Sequence, residues 1–140
     1  MNDSNITNDF SRRFVDEINT IPNLIPQAKV GFIAKYECLR VYPTFGGKDV
    51  NEWMDGSREV ELPYQIAIKN KHSGRASELL WLIYEKLTDR NLEIPSKNNS
   101  YEFVGLEVAT PSLNDVDKEG WYIYLLDFTA TIIIENKMED

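Results

Sequence analysis

Apolar and polar residues alternate most regularly between Ser57 and Lys69. The apolar positions share one face, and they are Val60, Leu62, Tyr64, Ile66 and Ile68. The other face carries Glu59, Glu61, Gln65 and Lys69. A period of two predicts a half-buried strand, and Pro63 within it predicts a sheet edge or a bulge at that point. A shorter strand, Val50 to Met54, leads into Asp55-Gly56, a pair that favours a two-residue type I′ turn because both central residues need positive φ.

Two segments have helical periodicity instead. From about Thr7 to Asn19 the apolar residues recur every three to four positions, before Pro22 and Pro26 end the pattern: Phe10, Phe14, Val15 and Ile18. From Ser73, which we expect as the N-cap, to about Arg90 a second apolar stripe predicts a core-facing helix: Ala76, Leu79, Leu80, Ile83 and Leu87.

The other apolar segments predict further strands. Lys29 to Lys35 has Val30, Phe32 and Ala34 in phase, and Cys38 to Tyr42 and Tyr101 to Ala109 are two further candidates. We predict an exposed acidic loop over Pro111 to Gly120. The final strand, Trp121 to Glu135, is apolar on both faces, which is typical of a central strand or of one covered by a neighbouring subunit.

The predicted order is helix, two strands, hairpin, helix, two strands. Hairpin connections favour an α+β fold with a mainly antiparallel sheet of about five to six strands and two helices packed on one face. A chain of 140 residues with 42% hydrophobic residues fits a single domain, 1–140. We expect residues 1–6 and 136–140 to form flexible tails.

Charge and cysteine content narrow the class of protein. Fifteen basic and 23 acidic residues give a net charge of -8, which argues against coating nucleic acid. This charge does not exclude a wall past which DNA slides, but an acidic surface that keeps the protein soluble is the favoured interpretation. A single cysteine, Cys38, cannot form an internal disulfide. The polar N-terminus has no signal-peptide pattern and no segment predicts a membrane span, so we expect a cytoplasmic protein.

Motifs for catalysis, cofactors or metals are weak. The single histidine, His72, and Cys38 have no spacing that indicates a nucleophile and base. Gly46-Gly47-Lys48 lacks the remaining positions of a phosphate-binding loop. The segment from Asp115 to Gly120 matches the start of a calcium-binding loop, but Leu126 stands where a bidentate Glu is needed, so a solvated turn is favoured. We predict no catalytic residue, no cofactor and no metal site.

Apolar residues at predicted turns are the positive signal. Trp53 and Met54 lie at the hairpin tip, and Phe45 lies in the glycine loop before it. Such residues either contact a partner or fold back onto their own core, and the sequence leaves both readings open.

The order of several short segments resembles bacteriophage minor capsid and tail-terminator-like proteins. The similarity extends from about Ile18 to Glu135 and rests on the following groups: Val41-Tyr42-Pro43, Gly46-Gly47-Lys48, Trp53-Met54-Asp55-Gly56, Leu62 to Lys69, Pro95-Ser96, Asn98 to Tyr101, Pro111 to Asp115, Gly120 to Tyr124 and Asp127-Phe128.

That resemblance implies a non-enzymatic virion protein that is assembled in the host bacterial cytoplasm. It implies a ring, hexameric in the simplest case, that ends tail-tube growth at the head-proximal end, with the tube protein and the head connector as partners and DNA as passing cargo. The predicted interface residues are Phe45, Trp53, Met54, Asp55, Gly56, Pro111 and Leu113. The alternatives are a head-completion or stopper protein of the connector, and a small ligand-binding or regulatory α+β domain.

Overall fold

The computed structural model describes residues 8–135, which form two helices and seven strands. In chain order these elements are α1 (Phe10–Ile18), β1 (Ala28–Val30), β2 (Cys38–Pro43), β3 (Lys48–Glu52), β4 (Arg58–Asn70), α2 (Ser73–Leu87), β5 (Glu102–Val108), β6 (Ser112–Val116) and β7 (Tyr122–Ile134). The α+β class with a mainly antiparallel sheet is therefore confirmed, with one or two strands more than predicted.

Two long strands form the centre of the sheet. β4 and β7 pair antiparallel over their whole length, from Arg58 opposite Ile134 to Asn70 opposite Tyr122. Each is flanked on its outer side by two short antiparallel strands, β2 and β3 on β4, and β5 and β6 on β7. β1 adds to β2 in parallel. Of the two alternatives that the sequence left for the final strand, the structure shows the central position, with strands of the same chain on both sides.

The alternation predicted for β4 matches its burial in part: Leu62 is only half-buried, and Lys69, which was expected on the polar face, is buried at the end of the strand. Val60, Tyr64, Ile66 and Ile68 are buried on the face that both helices cover. Pro63 lies in a gap on the outer side of β4: β2 ends opposite Tyr64, and β3 begins opposite Glu61. The Pro63 carbonyl accepts from the Thr44 N–H at 2.9 Å and so points to this outer side. The nitrogen of the same residue faces the same gap, so the missing N–H costs no hydrogen bond between strands. The position is locally an edge, as predicted.

Both helical stripes are buried as predicted. Phe10, Phe14, Val15 and Ile18 point from α1 into the core, and the five predicted apolar residues of α2 are all buried. The predicted start of the first helix at Thr7 lies outside the described residues. Ser73 is not the N-cap of α2, because His72 takes that position and the Ser73 hydroxyl lies 2.7 Å from the Tyr124 hydroxyl.

Aromatic rings join α1 to the sheet. The Phe14 and Phe128 rings stack with centroids 4.4 Å apart, and Phe128 stacks on Tyr64 at 5.3 Å. Phe10 contacts Tyr64 and Tyr101, each at 5.6 Å. Burial raises the pKa of both Tyr64 and Tyr101, and the Tyr101 hydroxyl donates to the Ile94 carbonyl at 2.5 Å. This cluster fixes the helix layer on the sheet.

A carboxylate holds the start of α1. Asp9 accepts from the hydroxyls of Ser96 at 2.7 Å and Ser100 at 3.1 Å, and from the Lys97 N–H at 3.0 Å. Burial alone would raise its pKa, but these hydrogen bonds together hold the pKa of Asp9 below its ordinary value. The charged form of Asp9 therefore joins α1 to the segment before β5.

Two predicted segments differ from the structure. The strand expected over 29–35 is reduced to β1, because Gly31 takes φ +133 and the chain turns away, leaving Phe32 77% exposed beside Tyr42. The loop expected over 111–120 contains β6, which pairs with the start of β7. Its five residues are all exposed, so a burial pattern could not reveal the strand.

Candidate assembly surfaces

The β3–β4 hairpin is an arm with little covering. All five residues of β3 are exposed, and β3 pairs only with the first residues of β4. Arg58 pairs with Asp49 at 3.1 Å and Lys48 with Glu61 at 3.9 Å. These solvent-exposed ion pairs contribute little to folding. The arm is therefore built by backbone pairing and not by a core.

The turn at the arm's tip differs from the predicted type. Trp53 and Ser57 are joined by a 2.9 Å backbone hydrogen bond around three residues, and only Gly56 (φ +89) has a positive φ, so the type I′ prediction is wrong. Asp55 accepts from both the N–H and the hydroxyl of Ser57. The hydrogen bonds from Ser57 lower the pKa of Asp55. This pattern matches a three-residue hairpin loop with glycine in the left-handed position.

Apolar side chains project from the arm. Phe45 and Met54 are fully exposed, and Trp53 is 44% exposed. Phe45 precedes β3 and the other two follow it, so about 17 Å of strand separates them. The Cβ of Gly47, if one were added, would meet the Glu61 carbonyl at 3.4 Å, which shows how closely this loop approaches β4.

The remaining predicted interface residues lie at the other end of the sheet. Leu113, 49% exposed, pairs with Tyr124 of β7, whereas the arm begins opposite Ile134. Ten residues of strand separate the two places, or ~33 Å. Pro111 lies just before β6 and is half-buried. The structure therefore separates the seven predicted residues into two groups, of which one includes Phe45 and the hairpin tip and the other Pro111 and Leu113.

Sequence reasoning missed further exposed apolar residues. On β1 and its flanks these are Ile25, Val30, Phe32 and Tyr36, and near the opposite edge they are Val104 and Val116. Val30 and Phe32 were expected to share a covered face, so their pattern gave the wrong signal. Trp81 and Leu82, each just over 40% exposed, lie outside the predicted stripe of α2, and their position there was a usable signal.

The sheet face that carries no helix has a polar network across three strands. The Tyr42 hydroxyl of β2 donates to Gln65 Oε1 of β4 at 2.5 Å, and Gln65 Nε2 donates to Asp127 Oδ1 of β7 at 2.7 Å. Burial, and then the charge of Asp127, raises the pKa of Tyr42. These residues are far apart in sequence, so only the strand register brings them together.

One half of this open face is acidic. Around the arm, the strand register places Glu59 and Glu61 of β4 on the same face as Glu102 and Glu107 of β5. Lys48 of β3, opposite Glu61, lies on this face too. Neither Glu102 nor Glu107 forms an ion pair within residues 8–135. Negative charge is therefore concentrated on the part of the sheet nearest the arm.

The turn between β6 and β7 closes the far end of the open face. The Asp117 carboxylate accepts from the N–H groups of Glu119 and Trp121, and the bond from Trp121 is the main reason that the pKa of Asp117 is lowered. Lys69 Nζ lies 3.7 Å from Asp117, 3.0 Å from the Ala34 carbonyl and 5.5 Å from the centre of the Trp121 ring. Residues 117–120 form the turn that the sequence favoured, whereas Asp115 and Val116 of the predicted turn belong to β6.

The side chains considered for catalysis do not form a site. Cys38 is buried at the start of β2 with its sulfur 3.4 Å from the Ala34 N–H, while His72 is exposed before α2. Among residues 8–135, no three His, Cys, Asp or Glu side chains are grouped as a metal site would need. In the same range, neither helix is long and apolar enough to cross a membrane.

The protein is a small α+β protein with unpaired strand edges and exposed apolar loops. These features are typical of a subunit that assembles with other protein chains. The model of the family described as bacteriophage tail terminator protein matches residues 1–134, and the chain belongs to this family. No curated protein matches the chain. The protein is therefore a structural component of a phage tail and hence of the virion, and family membership favours a structural over an enzymatic role.

Proposed function

We propose that the protein forms a ring, hexameric in the simplest case, at the head-proximal end of the tail. The ring stops growth of the tail tube and gives the head connector its docking surface. The observation that carries this proposal is the exposure of Phe45 and Met54 on an arm with little covering, because large apolar side chains in water are a typical partner surface. Membership in the tail terminator family supports the place of action.

The separation of the two apolar groups suits two different contacts. A closed ring joins two different patches of each subunit and leaves other surfaces for further partners. The arm and the β6 region lie ~33 Å apart along the sheet. In this proposal Phe45, Trp53, Met54, Asp55 and Gly56 contribute to the contact between subunits, and Pro111 and Leu113 contribute to the surface for the tail tube or the head connector.

The acidic half of the open face suits a passage for DNA. Glu59, Glu61, Glu102 and Glu107 would repel phosphates if this face lined the lumen. DNA could then pass without being held. The host bacterial cytoplasm, where the tail and head are assembled, is the proposed site of ring formation.

The first experiment measures the mass of the purified protein by light scattering over a range of concentrations, with negative-stain images of the same samples. We expect rings, and we expect added rings to stop the extension of tail tubes. The double variant Phe45→Ser/Met54→Ser should keep its melting temperature and lose at least tenfold in capping, while Lys118→Ser, a change at an exposed loop position, should cap normally.

The other outcomes are equally specific. A chain that stays monomeric with tail tubes present and leaves them uncapped would overturn the proposal. Binding to the connector without binding to the tube would assign the protein to the head side of the joint. Thermal stabilisation by a small metabolite, with no assembly under any condition, would indicate a ligand-binding protein instead.

A further inference from the structure

We propose that β3 of one copy pairs with the free edge of β5 in the next copy, so that the antiparallel sheet continues from subunit to subunit. This inference rests on the proposed ring and identifies which two edges join. A second copy of this chain is the occupant of the β5 edge.

The outer edge of β5 is open and faces a groove. The Ala109 N–H donates to the Asp127 carbonyl of β7 at 2.9 Å, and by alternation the backbone N–H and C=O groups of Leu106 and Val108 point away from β7. Within residues 8–135, β5 pairs with no other strand. Beside it lies a groove of about 360 Å³ whose apolar lining consists of Leu87, Leu92, Phe103, Val104, Leu106 and Val108.

β3 has the matching free edge. The Trp53 N–H donates to the Ser57 carbonyl, so the next pair along the hairpin, Glu52 and Arg58, has its backbone groups pointing outward. All of β3 is exposed. An exposed strand edge with unpaired backbone groups is a template for another strand.

The strand directions are compatible with a ring. β3 is antiparallel to β4, β4 to β7 and β7 to β5, so β3 and β5 run in opposite directions within one copy. Rotation about a ring axis that lies roughly along the strands keeps those directions. β3 of one copy therefore meets β5 of its neighbour antiparallel, as in the rest of this part of the sheet.

Charges on the open face are complementary. Glu102 and Glu107 of β5 are exposed and form no ion pair within the described range, 8–135. Lys48 of β3 lies on the same face, with 66% of its side chain exposed and a carboxylate of its own chain, that of Glu61, at 3.9 Å. Adding β3 to β5 brings this lysine to a face that carries two glutamates.

The other outer edge of the sheet is closed. Asn19 caps β1, since its Oδ1 accepts from the Ala28 N–H at 2.8 Å and its Nδ2 donates to the Ala28 carbonyl at 3.1 Å. The inner side of β1 is used by the Gly31 N–H, which donates to Val41. In a three-residue strand this leaves Val30 alone with outward backbone groups, too few for strand addition. Among the described residues, β3, β5 and the exposed strand β6 therefore keep open edges, and of these β3 and β5 lie at the same end of the sheet on opposite sides.

The test blocks one edge without breaking the hairpin. Glu52→Pro removes an outward N–H but no hydrogen bond of the β3–β4 ladder, and Glu52→Ala is the matched control for the lost charge. We expect Glu52→Pro to raise the concentration at half-assembly about tenfold, with an unchanged melting temperature, while Glu52→Ala assembles like the wild type. Equal assembly of all three proteins would overturn the proposal.

Hydrogen exchange and a charge swap test the same contact independently. On assembly, amides in 48–52 and 102–108 should gain protection, and those in 28–30 should not. Lys48→Glu and Glu107→Lys should each weaken assembly, and the double variant should recover part of the loss. Rings that form without protection at β3 and β5 would overturn this inference and leave the proposed ring intact.

Two further outcomes also decide the matter. Protection of 102–108 only when tail tubes are added, in a chain that stays monomeric, would assign the edge to the tube protein and overturn the pairing of copies. A wild-type chain that forms no ring and caps no tube would overturn the proposed function and this inference together.

Discussion

The two halves of β4 have different surroundings. From Tyr64 onward its apolar side chains are buried under the helices, and Ile66 and Ile68 have no exposed surface. Its first residues instead carry β3, where every side chain is exposed. Val60 in this part of β4 is still buried in the core, so the arm consists of β3 and its two loops, which backbone pairing holds. The residues that stabilise the fold lie under the helices and those available to partners lie on β3 and its loops, so substitutions in the two regions should have opposite consequences.

The largest effect on stability is expected in the core between α1 and the sheet. Phe14→Ala removes a fully buried ring that stacks on Phe128 at 4.4 Å, so the free energy of unfolding should fall by about 3–5 kcal/mol. Chemical denaturation monitored by circular dichroism measures this change. A loss below about 1 kcal/mol would show that the ring does not join α1 to the sheet. Phe45→Ala, at a fully exposed position, is the matched control and should leave stability almost unchanged.

The next effect concerns the hydrogen bonds that hold the start of α1. Asp9→Asn should lower the free energy of unfolding by about 2 kcal/mol at neutral pH, because three donors now meet a neutral amide. Since the folded state lowers the pKa of Asp9, its contribution is complete above the unfolded pKa of ~3.9 and is lost as pH falls through the folded value.

Denaturation of both proteins between pH 7 and pH 2 measures that dependence. The difference between wild type and Asp9→Asn should be constant at neutral pH and shrink below about pH 4. Asp16→Asn, on the exposed side of the same helix, is the control and should change stability by less than about 0.5 kcal/mol. A difference that grew toward low pH would contradict the assignment.

A smaller effect is expected at the closed edge. Asn19→Ala leaves the Ala28 N–H and C=O without their partner and should cost about 1 kcal/mol. It also exposes the β1 edge, so hydrogen exchange at 28–30 should become faster. If exchange there is unchanged while stability falls, Asn19 acts through packing and does not cap the strand.

The smallest effect on stability is expected at the arm's tip. Met54→Ser should change the free energy of unfolding by less than about 0.5 kcal/mol, because the side chain is already fully exposed. Its effect should instead be seen in tube capping, which we expect to weaken severalfold. A large loss of stability with normal capping would show that Met54 stabilises the fold and does not contact a partner.

Patterns repeated along the chain made most of the fold predictable. The period of two in β4 and the stripes at α1 and α2 each record one buried face, and burial of these residues is confirmed. Where no face is buried, residue patterns predict little: β6 is fully exposed and was expected as a loop, and the predicted strand at 29–35 is present only as β1. The exposure of Phe45 and Met54 shows that these side chains do not fold back onto the core, which the sequence had left open.

By itself the sequence determined the α+β class, the helix stripes and the resemblance to tail terminators, because each rests on local periodicity or on residue order. Only the tertiary structure decided which edges are open, how Asn19 closes β1, and that Tyr42, Gln65 and Asp127 form one network. Those features depend on register between strands that are distant in sequence. A local pattern specifies which face of a strand is buried, but pairing partners are selected by the packing of the whole chain.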